Sequence, residues 1–113
     1  MASTRRLPNR KPATAAVFAA LGDETRLALV ARLARCDAAS ITELTRHSRL
    51  TRQAITKHLR VLERAGMVRC ARAGRESRFE LDPRPLSEIE AYVQRLSREW
   101  DQALARLKSL VEE

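Results

Sequence analysis

Residues 51–68 of the chain read TRQAITKHLRVLERAGMV, and this stretch decides the fold. Its apolar residues Ile55, Leu59 and Leu62 are four and three positions apart, which is the spacing of one buried side of an α-helix. A threonine stands before the stretch as a favourable N-cap, and an Ala-Gly pair after it provides a common helix stop. The sequence therefore predicts an amphipathic helix from Arg52 to Arg64.

Three shorter helices are predicted upstream of this one. The first is an apolar helix over 13–21 that Gly22 ends, and the second follows Asp23, whose carboxylate can cap its first turn. We expect the buried side of the second helix to consist of Leu27, Val30, Leu33 and Ala34. The third begins at Ser40-Ile41-Thr42-Glu43, which matches the capping box. The third and fourth helices then form a pair joined by a tight turn.

A β-hairpin and a long final helix follow. Residues 67–72 and 77–81 have strand-like composition, and the segment 73–76 between them is the predicted turn. Two prolines then break the chain, after which apolar residues recur at intervals of three and four: Leu86, Ile89, Val93, Leu96, Trp100, Ala103, Leu107 and Leu110. A helix of roughly 25 residues is nearly 40 Å long at about 1.5 Å per residue, so its apolar seam is expected to need a partner.

The charge of the chain is uneven. Its 113 residues include 19 arginines and 3 lysines against 14 acidic residues, which gives a net charge of +8. Residues 1–81 hold 17 basic and 7 acidic side chains, whereas residues 82–113 hold 5 and 7. Because the planar guanidinium of arginine suits phosphates and guanine edges, we expect the basic part to bind double-stranded DNA and the final helix to serve assembly.

One side of the helix from Arg52 to Arg64 carries side chains suited to reading bases in a major groove. Arginine can bridge guanine O6 and N7, glutamine can bridge adenine N6 and N7, and a threonine methyl can contact a thymine methyl. Glu63 is the only acid between Leu50 and Gly74, whereas an ordinary solvated face mixes both signs. The predicted base-reading residues are Arg52, Gln53, Thr56, Lys57 and Arg60.

Basic side chains also follow the predicted hairpin. Contacts to phosphates fix the position of a protein on DNA without distinguishing one base from another. We expect Arg72, Arg75 and Arg78 to make such contacts.

The segments ALGDETR (residues 20–26) and ITKHLRVLERAGMV (residues 55–68), followed by the basic hairpin, resemble the ArsR/SmtB family of bacterial winged helix-turn-helix regulators. The likeness covers roughly residues 13 to 111. The tail with Tyr92, Trp100, Leu104 and Leu107 is similar to a subgroup that has a long C-terminal helix with a tryptophan. The resemblance implies a mainly α fold, with about five helices plus a two-stranded wing, in a homodimer that binds an imperfect palindrome and represses transcription.

The resemblance also implies how the chain is divided. We expect a flexible basic arm over residues 1–12, a winged helix-turn-helix core over 13–82 and a dimerisation helix over 83–113. The family's dimer is built on the first and last helices. The expected interface residues are therefore Val17, Phe18, Leu86, Ile89, Val93, Leu96, Trp100, Leu104 and Leu107.

The metal-sensing positions of the family are not filled in this sequence. Ser40 and Thr42 stand where arsenic and lead sensors have a Cys-x-Cys pair, and the last helix lacks the histidines of the zinc sensors. Glu88 and Glu90 alone would make a poor transition-metal site, and acids in a first helical turn are explained by the helix dipole. No metal and no cofactor are expected.

The cysteines and histidines admit two interpretations each. Cys36 and Cys70 are either small buried hydrophobes, the commoner case, or thiol sensors favoured by the arginines beside them. His58 is expected to be half-buried at the helix flank rather than in contact with DNA, and His47 is also expected to be structural.

Other classes of function find little support. There is no glycine-rich phosphate loop, no GxSxG and no catalytic cluster, so an enzyme is not expected. No stretch approaches the roughly 20 apolar residues of a membrane span, and we expect a cytoplasmic protein. Two alternatives to a specific repressor stay open, a winged-helix protein-interaction scaffold and a nonspecific architectural DNA binder.

Overall fold

The structure, a computed structural model, describes residues 10–46 and 48–112. Its elements in chain order are α1 (Arg10–Leu21), α2 (Glu24–Leu33), β1 (Ala39–Ser40), α3 (Ile41–Arg46), α4 (Arg52–Arg64), β2 (Val68–Ala73), β3 (Glu76–Leu81) and α5 (Arg84–Glu112). The mainly helical fold with five helices and a hairpin wing is therefore confirmed. His47 and most of the expected N-terminal arm lie outside the described residues.

Side-chain caps fix where three of the helices begin. An Asp23 carboxylate oxygen accepts from the Arg26 backbone N–H at 3.0 Å, and Thr51 Oγ1 accepts from Ala54 N–H at 3.1 Å. At α3, Ser40 N–H donates to Glu43 Oε1 at 3.0 Å, while Glu43 N–H donates to Ser40 Oγ at 3.1 Å. These contacts satisfy backbone donors that have no partner within the helix, and they confirm the predicted caps.

The hydrophobic core lies between the first four helices and the inner face of the sheet. The predicted inward residues of α4 are fully buried, and so is Phe79 of the hairpin. The buried hydrophobic residues are Val17, Ala20, Leu29, Leu33, Ala39, Leu44, Ile55, Leu59, Leu62, Met67, Val68 and Phe79.

The buried side of α2 differs from the expected one. Leu29 and Leu33 are buried, whereas Leu27 is 51% exposed and Ala34 is exposed. Apolar residues run without interruption over 27–31, so their spacing fits more than one side of a helix. Contact with α4 and β3 decides which side is buried.

The wing belongs to a three-stranded antiparallel sheet of order β1-β3-β2. β1 was not predicted from the sequence. Its Ala39 pairs with Phe79 of β3, and Cys70 of β2 pairs with the same Phe79. Gly74 takes a φ of 67° in the two-residue turn between β2 and β3, a conformation that glycine adopts without steric cost. The sheet therefore ties the segment before α3 to the wing.

The first and last helices are longer than expected. α1 begins at Arg10, so residues 10–12 of the expected arm form its first turn; Pro12 is tolerated there because the N–H it lacks would have no helical partner. α5 has 29 residues, which makes it about 43 Å long at about 1.5 Å per residue.

Asp82 anchors the start of α5. It is only 4% exposed, and its carboxylate accepts from the Arg84 backbone N–H at 3.1 Å and from Arg84 Nε and Nη2 at 3.0 and 2.6 Å. The hydrogen bonds from the Arg84 side chain and backbone lower the pKa of Asp82 to about 2. Its own N–H donates to the Met67 carbonyl at 2.8 Å, which connects the end of β3 to the start of β2.

Candidate nucleic-acid interface

α4 presents a polar side opposite its buried one. Arg52, Gln53 and Lys57 are exposed and Thr56 is half-buried, and the four together line one shallow depression of the surface. The first three turns of the helix contain no acidic residue. The structure therefore brings together four of the five residues predicted to read bases.

Arg60, the fifth, is exposed one turn further along the helix. Its Nη1 lies 3.0 Å from Glu63 Oε1, so its charge is shared with a carboxylate of the same helix. An exposed pair at this spacing is weak, and the guanidinium can exchange Glu63 for another anion at little cost.

The start of α4 is oriented by α3. Arg52 Nη1 donates to Thr42 Oγ1 at 2.8 Å, and Thr56 Oγ1 donates to the Arg52 carbonyl at 2.7 Å. The hydroxyl of Thr56 is thus used within its own helix, which leaves its methyl group for apolar contact.

The flank of α4 is fixed against the corner between α1 and α2. Arg26 Nε donates to the Ala20 carbonyl at 2.6 Å, and Arg26 Nη1 lies 3.2 Å from His58 Nδ1. Because a guanidinium can only donate, the contact assigns Nδ1 of His58 as the acceptor. Asp23 Oδ2 lies 3.9 Å from the same ring nitrogen, and the backbone hydrogen bond from Arg26 lowers the pKa of Asp23.

This contact confirms that His58 is half-buried at the helix flank. Arg26 belongs to the ALGDETR segment, but its contact with α4 was not predicted. The sequence shows an arginine three residues after the Asp23 cap. It does not show that this arginine contacts His58, because His58 is 32 positions away.

Two of the three wing arginines are free to meet an anion. Arg72 and Arg75 are exposed, and Arg75 lies in the turn at the tip. A cleft of about 230 Å³ lies between the tip and the starts of α3 and α4, and its lining includes Arg75, Arg52 and the acidic Glu76. The wing and α4 thus border the same surface.

Arg78 has a different place from the one expected. Its Nη2 donates to the Ala38 carbonyl at 3.0 Å and lies 3.3 Å from Glu43 Oε1, while its Nη1 lies 3.4 Å from Glu76 Oε1. The sheet register puts Arg78 on the face opposite Phe79. Because two carboxylates already share its charge, a phosphate contact at Arg78 requires an anion to displace one of them.

The expected dimer interface divides into exposed and buried parts. Val17 is only 2% exposed in the core of its own chain, which corrects its expected place at the interface, and Leu86 and Ile89 pack partly against the same core. The Phe18 and Tyr92 rings meet edge to face at 5.9 Å, joining α1 to α5. The expected interface residues that are exposed are Phe18, Val93, Leu96, Trp100, Leu104 and Leu107.

The cysteines are free thiols in different surroundings. Cys36 is exposed after α2, which differs from the buried position that is commoner for cysteine, and Cys70 is half-buried on β2. Within residues 10–46 and 48–112, no three His, Cys, Asp or Glu side chains come together as a metal site. Among the same residues, no helix is long and apolar enough to cross a bilayer.

Known proteins resemble the chain in sequence and in fold. A family model described as a helix-turn-helix domain matches residues 21–71. Over 110 residues, the chain is 36% identical to the HTH-type transcriptional regulator Rv2034 of Mycobacterium tuberculosis. This match covers 97% of this chain and 94% of that protein. It is 38% identical over 80 residues to the uncharacterized HTH-type transcriptional regulator YuzN of Bacillus subtilis, covering 66% of this chain and 87% of that protein.

The structural comparison agrees with the sequence matches. The structure of an ArsR-like transcriptional regulator from Rhodococcus sp. RHA1 has a TM-score of 0.78 and 36% identity, covering 88% of this chain and 93% of that one. With a basic recognition helix, a wing and relatives of this kind, the chain belongs to the ArsR family of winged helix-turn-helix transcriptional regulators, which bind DNA through the helix-turn-helix.

Proposed function

We propose that the protein is a homodimeric, sequence-specific repressor that reads an inverted repeat with α4. The observation that carries the proposal is the cluster of Arg52, Gln53, Thr56 and Lys57 on one exposed side of a helix whose first three turns contain no acidic residue. Arg52 and Gln53 match the hydrogen-bonding edges of guanine and adenine, and the Thr56 methyl matches that of thymine. Lys57 and Arg60 add positive charge beside the groove.

The wing is assigned to the DNA backbone. Arg72 and Arg75 are exposed on the hairpin, and Arg75 lines the same cleft as Arg52 of α4, so a phosphate can meet the tip while α4 lies in the adjacent groove. Such contacts contribute affinity that falls with salt and is the same for every sequence.

The exposed seam of α5 supports the pairing of two chains. In a twofold dimer the two α4 helices bind half-sites one DNA turn apart or a multiple of it, about 34 Å, which requires an inverted repeat. A dimer placed across a promoter would exclude polymerase from the same DNA, and repression is the outcome we assign to it.

Substitutions on α4 and on the wing test the division between base reading and phosphate binding. We expect Gln53→Ala to weaken binding to the operator by about 1–3 kcal/mol, roughly 5- to 150-fold, with little change on random DNA. Arg75→Ala should weaken binding to both DNAs by a similar factor and reduce the salt dependence. Gel shifts at about 150 mM salt, on an operator selected from genomic fragments, measure both effects.

Arg98→Ala on α5 is the matched control, since it removes an equal charge far from α4 and should change neither affinity. Equal losses for Gln53→Ala on operator and random DNA would contradict base reading. Binding without any sequence preference would favour an architectural DNA binder, and absence of DNA binding would favour an interaction scaffold.

A further inference from the structure

A second basic surface lies away from α4. A cavity of about 440 Å³ is bordered by the end of α2, by β1, α3 and β3. Four arginines contribute to its wall against one carboxylate, that of Glu43, and the wall also includes the exposed thiol of Cys36. We call it the arginine cavity; its arginines are Arg32, Arg35, Arg46 and Arg78.

Two of the guanidinium groups are held in place by neutral acceptors. Arg32 Nη1 and Nη2 donate to the carbonyls of Leu44 and Glu43 at 3.1 and 2.8 Å, and Arg78 Nη2 donates to the Ala38 carbonyl at 3.0 Å. A carbonyl orients a guanidinium without cancelling its charge. The cavity therefore has fixed donors before a ligand arrives, which lowers the entropic cost of binding.

The single carboxylate cannot neutralise this charge. Glu43 Oε1 accepts from Ser40 N–H and lies 3.3 Å from Arg78 Nη2, and the hydrogen bond from Ser40 lowers the pKa of Glu43, so it is ionised at neutral pH. Arg35 and Arg46 are exposed, and neither makes a salt bridge within the part of the chain that the structure describes. Because Glu76 beside the wall also pairs with Arg78, the four arginines and two carboxylates leave an excess of two positive charges.

The arginine cavity and the depression on α4 share no lining residue. Thr42 of α3 bonds to Arg52 of α4, whereas Glu43 and Arg46 of the same helix line the cavity. Arg78 is on the sheet face opposite Phe79. A ligand in the cavity would leave the depression on α4 open, so it can bind without competing for the surface proposed to read bases.

We propose that the arginine cavity binds a small anion with at least two negative charges on carboxylate or phosphate oxygens. Guanidinium forks bind both groups in a bidentate manner, and the volume is within the range of small-molecule sites. The anion competes with Glu43 for Arg78. Because that ion pair joins the wing strand β3 to α3, a bound anion changes how the wing is held, which would make the site regulatory.

Titration calorimetry of the full-length protein tests anion binding without any DNA. We expect sodium citrate and sodium pyrophosphate, at ionic strength held constant with sodium chloride, to bind with one site per chain. Combining Arg35→Gln with Arg46→Gln removes two exposed charges that bond to nothing in the described core, and should weaken binding at least tenfold. Arg98→Gln is the control and should have no effect.

Binding of citrate alone would identify a polycarboxylate site, and binding of pyrophosphate alone would identify a phosphate site. If neither anion binds, the proposal is wrong. If neither anion binds and the double variant reduces DNA affinity and its salt dependence as Arg75→Ala does, the cavity is part of the DNA interface and not a small-anion site.

Alkylation of Cys36 shows whether the anion sits in the cavity. In a Cys70→Ser background only Cys36 reacts with iodoacetamide, and a saturating anion should slow that reaction at least threefold. Calorimetric binding that leaves the rate at Cys36 unchanged would place the anion elsewhere and overturn the proposal. Neither measurement depends on the proposed operator, so failure here and failure of the repressor function are distinguishable.

Discussion

At the scale of single residues, Asp82 connects the wing to the last helix. Its buried carboxylate holds both the backbone N–H and the side chain of Arg84, and its backbone N–H bonds to Met67. An anion at the start of a helix is also favoured by the helix dipole. One side chain therefore fixes the direction in which α5 leaves the domain.

The lowered pKa of Asp82 predicts an acid dependence of stability. The pKa is about 2 in the folded protein against an ordinary value of 3.8, so the carboxylate stabilises the fold fully above about pH 4 and loses that effect as the pH falls towards 2. Asp82→Asn should lower the melting temperature at pH 7, and the difference from the unchanged protein should shrink between pH 4 and 2. Circular dichroism melts at pH 7, 4, 3 and 2 measure it.

Glu90→Gln, on the exposed part of α5, is the control and should leave the melting temperature unchanged at each pH. Glu43 and Asp23 also have lowered pKa values, but both residues are present in the variant and in the unchanged protein. Their contributions to the pH dependence of the melting temperature therefore cancel in the difference. A difference that stayed constant from pH 7 to pH 2 would mean that the asparagine acts through packing and not through charge.

At the scale of elements, α4 could be predicted almost completely from sequence and α2 only in part. In α4 the inward residues Ile55, Leu59 and Leu62 are separated by polar ones, so one side alone can be buried. In α2 the apolar run over 27–31 fits several sides, and only contact with α4 and β3 selects Leu29. Local periodicity is decisive only where polar residues interrupt it.

Contacts between distant positions explain what else the sequence did not predict. β1 has two residues, too few for an alternating pattern, and exists because Ala39 pairs with Phe79. The pairing of Arg78 with Glu43 could not be predicted from its charge, because the two residues are 35 positions apart in sequence. The shared side of the residues proposed to read bases could be predicted, since the side of a helix on which a residue lies follows from the period alone.

The caps of α3 and α4 are expected to contribute differently to the free energy of unfolding. Ser40 is buried and Thr51 is exposed, so water can replace the lost oxygen only at Thr51. We expect Ser40→Ala to lower the free energy of unfolding by about 2 kcal/mol and Thr51→Ala by about 0.5–1 kcal/mol. Urea unfolding followed by circular dichroism gives both values.

Ser48→Ala provides a comparison outside a helix, because its hydroxyl accepts from Leu50 N–H in the turn before α4. The loss there should be no greater than at Thr51. A larger loss at Thr51 than at Ser40 would contradict the view that burial sets the cost.

At the scale of the whole molecule, α5 extends far beyond the core. The chain measures 68 Å along its longest axis, and residues 90–102 and 104–112 are all exposed. Trp100, the single tryptophan, is 61% exposed within this stretch. Exposed apolar surface of this extent is typical of an interface.

The proposed homodimer predicts that a charge in the seam separates the chains. Leu107→Glu should convert dimer to monomer in sedimentation equilibrium and reduce operator affinity, because a single chain meets one half-site. Since Leu107 is already exposed in the single chain, the helical circular dichroism signal should persist. Arg98→Glu, on the opposite side of α5, is the control and should stay dimeric.

Trp100 supplies a second measurement of the same interface. Its fluorescence should shift to longer wavelength when the unchanged protein is diluted below the dissociation constant, as the indole returns to water. A mass equal to one chain at all concentrations would rule out the homodimer.

The exposed half of α5 has a thermodynamic consequence for a protein that pairs through it. Much of the apolar surface in this half leaves water only when two copies meet, so mass action couples resistance to heat to the amount of protein present. The melting temperature would therefore be lower at low protein concentration than at high concentration. A DNA duplex carrying both half-sites would raise it by holding the two chains together.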